Sequence, residues 1–148
     1  MPITGDAPCA VVHEPPGLPL PGFQEATDGP WSVRFGRGAG GRPALEVYRD
    51  GLLVDVVVAG TALDARPLRD AQAVRRAGRW YGLAWGVVAE GAGAGGPEIA
   101  FLGRRPRREL PSATVPVGAA FWLATTTGTV RPTVVRGQGV ALRVRRAR

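Results

Sequence analysis

Short apolar runs, separated by Gly and Pro, follow one another along the chain from Trp31 onward. Their length and their content of β-branched and aromatic residues are typical of strands. The pattern predicts an all-β protein, an antiparallel β-sandwich or barrel of about seven to nine short strands. The runs are 31–35, 44–48, 52–58, 73–76, 80–88, 99–102, 117–126, 130–135 and 140–144.

The first predicted hairpin turns at Asp50-Gly51, because a type I′ turn needs positive φ at both of its central residues. A two-residue loop there places Val47 opposite Val54 and Leu45 opposite Val56. We expect further two-residue turns at Gly78-Arg79 and at Gly128-Thr129. Helical signal is weak, since Pro67 interrupts the best window, and at most one turn is expected over 68–71.

The run from Trp80 to Val88 alternates sharply between two kinds of residue. One face is large and apolar, and it predicts a packed core. The other face is nearly bare after Trp80, so another backbone or a ligand comes close to it or the face is solvated, and we favour close sheet packing or a bend. The bare face holds Gly82, Ala84 and Gly86. The predicted core consists of Tyr81, Leu83, Trp85, Phe101, Phe121, Leu123, Val54 and Val56.

Residues 1–30 differ from the rest, since they hold half of the 14 prolines. Proline fixes φ and removes a backbone donor, so we interpret this segment as an extended arm preceding a single β-domain at 31–148. Residues 10–12 are the one stretch there that suits an edge strand. The N-terminus lacks the basic and apolar regions of a signal peptide, and we expect a cytoplasmic protein with no membrane span.

Catalytic and cofactor signals are sparse. Cys9 and His13, the single cysteine and histidine, lie in the arm and predict neither a disulfide nor a metal site. Two glycine-rich segments, 36–41 and 91–96, match the dinucleotide-binding spacing, but no helix is predicted after them. We interpret both as hairpin loops and predict no cofactor.

Two carboxylates form a candidate site. The predicted register places Glu46 directly opposite Asp55, and like charges in such a cross-strand pair are destabilising. Three explanations stay open: an arginine bridges them, a longer loop shifts the register, or the pair forms an acid/base or cation site. Glu98 is a further candidate for an enzyme that uses carboxylates and arginines.

The chain carries a net charge of +7, and all of its basic residues are arginines. GC-rich coding explains much of this bias, because Ala, Gly, Pro and Val are abundant too. The alternative is a guanidinium surface for phosphate or carboxylate. The arginines cluster at 75–79, 104–108 and 143–148. Because a compact β-domain has only two ends, its geometry allows at least two clusters to converge, but we expect the clusters to act only as solvated surface charge. The candidate binding residues are Arg76, Arg79, Trp80, Arg104, Arg105, Arg107, Arg108, Arg145 and Arg146.

These observations favour a non-catalytic binding or accessory β-domain that engages another macromolecule, a protein partner or a second copy of the chain. The alternative is an arginine-rich nucleic-acid-binding β-barrel in which Trp80 lies on an open face beside Arg79. A small enzyme that uses carboxylate and arginine side chains is the second alternative. The classes differ in one measurable property, since only nucleic-acid binding predicts steep salt dependence.

Overall fold

The computed structural model describes residues 29–60, 66–88, 97–104 and 108–148, and these residues form twelve strands with no α-helix. The predicted all-β class is therefore confirmed. One 3-10 turn, Ala39–Gly41, lies between the first two strands. The strands are β1 Trp31–Arg37, β2 Pro43–Arg49, β3 Leu52–Val58, β4 Asp70–Arg76, β5 Arg79–Val87, β6 Ala100–Gly103, β7 Glu109–Leu110, β8 Ala113–Val117, β9 Phe121–Gly128, β10 Pro132–Gly137, β11 Val140–Arg143 and β12 Arg145–Arg146.

The strands form three sheets. Sheet A has the order β1-β2-β3, sheet B the order β12-β4-β5-β9-β8, and sheet C the order β11-β10-β6-β7. Neighbouring strands are antiparallel except for β12, which runs parallel to β4. Sheet B lies between the other two, because its alternate residues belong to two separate cores.

The two cores differ in the size of the side chains that sheet B supplies. The first core lies against sheet A and takes Val74, Leu83, Trp85, Val117, Phe121 and Leu123 from sheet B. The second core lies against sheet C and takes mostly small residues from sheet B, apart from two tryptophans. These residues are Ala71, Ala73, Trp80, Ala84, Trp122 and Ala124.

The small-residue face lets sheet C and the 66–69 segment approach closely, as predicted from the bare face of β5. A Cβ on Gly86 would lie 1.8 Å from the carbonyl oxygen of Pro67. A Cβ on Gly82 would lie 2.7 Å from Cγ2 of Thr126 and 3.1 Å from Cγ of Pro132. Glycine is therefore required at both positions for steric reasons.

Sheets B and C are joined at both sides by chain that passes from one to the other. Two residues, Pro111 and Ser112, separate β7 in sheet C from β8 in sheet B. A single residue, Val144, separates β11 from β12, and its amide bonds to the Thr133 carbonyl oxygen. Strands that change sheets at a corner in this way enclose the core between them.

Turn chemistry explains three of the hairpins. Asp50-Gly51, Ala77-Gly78 and Gln138-Gly139 all have positive φ at both residues, and each links strands in a two-residue turn. The Asp50-Gly51 prediction is confirmed. The predicted Gly78-Arg79 turn is displaced by one residue, because Arg79 already pairs with Arg76. The turn predicted at Gly128-Thr129 is wrong, since β9 and β10 belong to different sheets.

A bulge in β3 changes the predicted register of the first hairpin. Tyr48 pairs with Leu53 as the two-residue turn requires, but Val47 then pairs with Asp55 and Leu45 with Val57. The extra residue is Val54, and it turns Asp55 toward the core side. Val56 is consequently 41% exposed, which contradicts its predicted burial.

The rest of the predicted core is buried or half-buried. Leu83, Trp85, Phe101, Phe121 and Leu123 are inaccessible to solvent, whereas Tyr81 and Val54 are half-buried at its margin.

The predicted strand number was too low. β7 and β12 are two-residue strands without an apolar pattern, and β8 contains Pro116, which an edge strand tolerates. No helical turn forms at 68–71, since β4 begins at Asp70. Apart from Gly29 and Pro30, the predicted arm with its 10–12 stretch, Cys9 and His13 lies outside the described residues, as does the glycine segment 91–96. The segment 36–41 ends β1 and forms the loop to β2, as predicted.

Candidate functional site

One end of the second core is surrounded by arginines from separate parts of the chain. We call this region the arginine mouth, and define it as Trp80 together with Arg75, Arg131, Arg146 and Arg148. Trp80 and Arg75 come from the β4–β5 hairpin, Arg131 from the connection between β9 and β10, and Arg146 and Arg148 from β12 and the residues after it.

Strand pairing brings these residues to the same side of sheet B. Arg75 pairs directly with Trp80 across the hairpin, and paired residues point to the same face. Arg146 pairs with Ala73, which lies in the second core, so Arg146 also belongs to this face. The amide of Ala147 then bonds to the carbonyl oxygen of Ala73, which carries Arg148 along β4 toward Arg75. Two of the three predicted arginine clusters therefore converge.

Trp80 closes the end of the second core and lies beneath two guanidinium groups. It is only 9% exposed. The guanidinium carbons of Arg131 and Arg146 lie 5.5 Å and 5.6 Å from the centre of its ring. Both distances are within the range of cation–π attraction. The Nε atom of Arg131 is buried and finds no hydrogen-bond partner in the described part of the chain.

Three arginines of the mouth, Arg75, Arg146 and Arg148, border an open cleft of about 590 Å³, whose lining is completed by Arg76 and Ala147. Of these arginines, Arg76 is the one paired with a described carboxylate, that of Asp50. Within the described ranges, no carboxylate forms an ion pair with Arg75, Arg131, Arg146 or Arg148. The cleft therefore concentrates positive charge that the described residues leave without a counter-charge.

Of the other predicted binding residues, two form salt bridges, three are exposed, and two lie outside the described residues. Arg145 and Arg76 are held by Asp70 and Asp50, so a salt bridge already occupies each of them. Arg79, Arg104 and Arg108 are exposed. Arg104 directly follows β6, and the last residue of that strand, Gly103, pairs with Pro132 next to Arg131. The amide of Gly103 also donates a hydrogen bond to the carbonyl oxygen of Arg108. Arg105 and Arg107 lie outside the described residues.

Two features of the mouth were missed or misread from the sequence. Arg131 stands alone between Val130 and Pro132, and no local pattern marks it. In the nucleic-acid alternative, Trp80 lies on an open face, where it is free to stack on a base. It is instead buried beneath Arg131 and Arg146, so an incoming base has little ring surface to contact.

The predicted juxtaposition of Glu46 and Asp55 is wrong, because the β3 bulge pairs Glu46 with Val56. Asp55 instead joins the first core to the chain before β4. Its Oδ2 accepts hydrogen bonds from Nε1 of Trp85 at 2.8 Å and from Nε of Arg69 at 3.1 Å. Its Oδ1 accepts a second bond from the same guanidinium at 3.2 Å. An arginine therefore does neutralise Asp55, although not by bridging it to Glu46.

Glu46 lies on the outer face of sheet A and accepts a 2.6 Å hydrogen bond from the Tyr48 hydroxyl. That hydrogen bond raises the pKa of Tyr48 above its ordinary value, with burial and the negative charge of Glu46 acting in the same direction. Arg34 stacks over the Tyr48 ring at 5.1 Å and opposes the rise. The third carboxylate candidate, Glu98, is exposed. Across the described ranges, no group of three or more His, Cys, Asp or Glu side chains comes together.

Comparison with protein-family models, with curated proteins and with solved structures yields no match to this chain. The described residues include no helix that is long and apolar enough to span a bilayer.

Proposed function

We propose that this protein is a non-catalytic binding domain and that its arginine mouth binds the phosphate backbone of nucleic acid. The observation that supports the proposal is the convergence at one end of the second core of four arginines from three chain segments, none of them ion-paired with a described carboxylate. Two of the four, Arg131 and Arg146, lie over the Trp80 ring. Nucleic acid fits such a concentration of guanidinium groups without a described counter-charge better than a protein partner does.

Guanidinium groups suit this role because they remain charged at any physiological pH and present planar pairs of donors to phosphate oxygens. Each arginine that contacts a phosphate also releases condensed counterions, which makes binding favourable and salt-dependent. The net charge of +7 adds long-range attraction for a polyanion. No enzymatic role is proposed for Asp50, Asp55 or Asp70, because each of them holds an arginine.

The direct test compares two triple variants that remove the same charge from different places. One replaces Arg75, Arg146 and Arg148 of the mouth with Ala. The control replaces Arg37, Arg42 and Arg136, which are also exposed. Arg37 ends β1, Arg42 directly precedes β2, and Arg136 lies near the end of β10 that is opposite to Arg131. Fluorescence anisotropy with labelled RNA, single-stranded DNA and duplex DNA over a salt series gives the affinity and the salt slope for each.

We expect the mouth variant to lose affinity for all three probes, with a log–log salt slope lower by about two units for single strands, at about 0.7 per phosphate contact. The control should keep a slope close to that of the wild type. Equal losses in both variants would show that only total charge matters. Failure of the wild type to bind any probe, or its binding of an acidic peptide instead, would refute a nucleic-acid site and point to a protein partner.

A further inference from the structure

We infer that Trp80 is a positioning residue for phosphate: it holds the guanidinium groups of Arg131 and Arg146 in place, and the bases are not read there. This inference rests on the proposed function and specifies how the same site recognises its ligand. It makes the phosphate chain itself the ligand, whatever bases are attached.

The position of Trp80 is fixed by the second core. Its ring is almost fully buried, and Phe101 and Ala84 belong to the same apolar cluster. The ring is therefore a rigid surface, whereas an exposed arginine otherwise samples many rotamers. Two guanidinium groups that lie 5.5 Å and 5.6 Å from this ring are restrained before any ligand arrives.

Restraint of this kind lowers the entropy cost of binding, because the ligand does not have to immobilise these two side chains. Arg131 supports this interpretation, because the described residues offer its buried Nε no acceptor and its guanidinium no carboxylate. Its contact with Trp80 is the interaction that the structure shows for this guanidinium.

The same arrangement excludes recognition of bases through Trp80. Proteins that bind single strands by stacking expose an aromatic ring to successive bases. Here two arginines cover the ring and Trp80 is 9% exposed. Inorganic polyphosphate, which carries no bases, should therefore compete with RNA and single-stranded DNA at equal phosphate concentration.

The test compares single arginine deletions within the mouth. Arg146→Ala and Arg148→Ala each remove one positive charge from the same cleft, but only Arg146 lies against Trp80. With a labelled oligothymidylate of about 20 nucleotides, we expect Arg146→Ala to weaken binding about three- to tenfold more than Arg148→Ala does. Arg131→Ala should resemble Arg146→Ala in this respect.

Substitutions of Trp80 supply the second arm. Trp80→Phe keeps an aromatic face and should bind within about twofold of the wild type. Trp80→Leu keeps apolar packing without that face, and it should lose affinity for oligothymidylate and for polyphosphate alike. If the Leu variant does not fold by circular dichroism, the arginine comparison decides the question alone.

Three results would overturn the inference while leaving the proposed function intact. Equal losses in Arg146→Ala and Arg148→Ala would show that Trp80 positions nothing. A folded Trp80→Leu protein that binds both probes like the wild type would lead to the same conclusion. A Trp80→Leu protein that loses only oligothymidylate binding, and still binds polyphosphate like the wild type, would show that Trp80 stacks on bases. Absence of all binding in the wild type would instead refute the proposed function.

Discussion

The two cores of this protein are closed at their margins by arginines in different electrostatic states. Beside the first core, Arg69 forms two hydrogen bonds with Asp55, and this carboxylate also accepts the indole N–H of Trp85. Over the end of the second core, Arg131 and Arg146 lie on Trp80, and the described residues supply no carboxylate to either. The first arrangement pairs an arginine with a carboxylate of the fold, whereas the second leaves two arginines without a counter-charge from the described residues.

This contrast shows that an arginine count alone does not define a binding surface. Arg69, Arg76 and Arg145 are each held by an aspartate and contribute to the fold. Arg131 and Arg146 are supported by an aromatic ring and Arg75 by β pairing, and the described residues form no ion pair with any arginine of the mouth. Whether an arginine has a carboxylate partner among the described residues therefore distinguishes these two groups better than its position in a sequence cluster does.

The largest expected effect concerns the first core. Trp85 is fully buried and its indole N–H bonds to Asp55. Trp85→Ala should lower the free energy of unfolding by about 3–5 kcal/mol, through the lost apolar contacts and the cavity that remains. Urea denaturation followed by circular dichroism measures this change. A change within about 0.5 kcal/mol, the range for surface sites, would mean that the first core is not packed as described.

A methyl group added at Gly86 is expected to destabilise the second core by overpacking it. Gly86→Ala would place its Cβ 1.8 Å from the Pro67 carbonyl oxygen, which also accepts the Trp122 indole N–H. We expect a loss of about 3 kcal/mol, the upper end of the usual range, because a backbone atom must move. Gly128→Ala is the matched control, since its added Cβ meets nothing within 4 Å. Similar stabilities for the two variants would contradict the close approach of Pro67 to β5.

The alternation of large and small residues along β5 was visible in the sequence, and it correctly predicted a packed face and a closely approached face. The identity of the approaching segments was not predictable, because Pro67 and Pro132 lie far from β5 along the chain. The bulge at Val54 has no local signature either, and it alone separated Glu46 from Asp55 and exposed Val56.

The site was predictable to a similar degree. The clustering of arginines indicated a basic surface, and the C-terminal cluster does join the β4–β5 hairpin at one end of the domain. Which of these arginines lack a carboxylate depends on contacts between distant residues, such as Asp50 with Arg76 and Asp70 with Arg145. The position of Arg131 over Trp80 depends on the path of the chain from β9 to β10, which no local sequence pattern specifies.

A smaller effect distinguishes the half-buried Asp55–Arg69 ion pair of the first core from a more exposed one. Asp55→Asn removes a charge partner of Arg69, whose side chain is 26% exposed, and should cost about 1–2 kcal/mol. Asp70→Asn removes the partner of Arg145, whose side chain is 64% exposed, and should cost about 0–1 kcal/mol. Equal losses in the two variants would show that burial does not strengthen the Asp55 contact.

The smallest effect lies on the outer face of sheet A, away from both cores. Because hydrogen bonding to Glu46 raises the pKa of Tyr48, the folded state favours the neutral phenol. The resulting stabilisation is fully present below the ordinary pKa of 10.0 and is lost as the pH rises from there through the folded-state pKa. Ultraviolet titration should show the Tyr48 pKa falling in Glu46→Ala. An unchanged value would place the cause of the shift elsewhere.

The most direct test of the central claim is the salt dependence of nucleic-acid binding by the wild type and by the protein that carries Arg75→Ala, Arg146→Ala and Arg148→Ala together. The account predicts salt-sensitive binding by the wild type and a log–log slope lower by about two units in the variant. The slope should stay unchanged when Arg37, Arg42 and Arg136 are replaced instead. Identical slopes for the two triple variants, or no binding by the wild type at low salt, would contradict it.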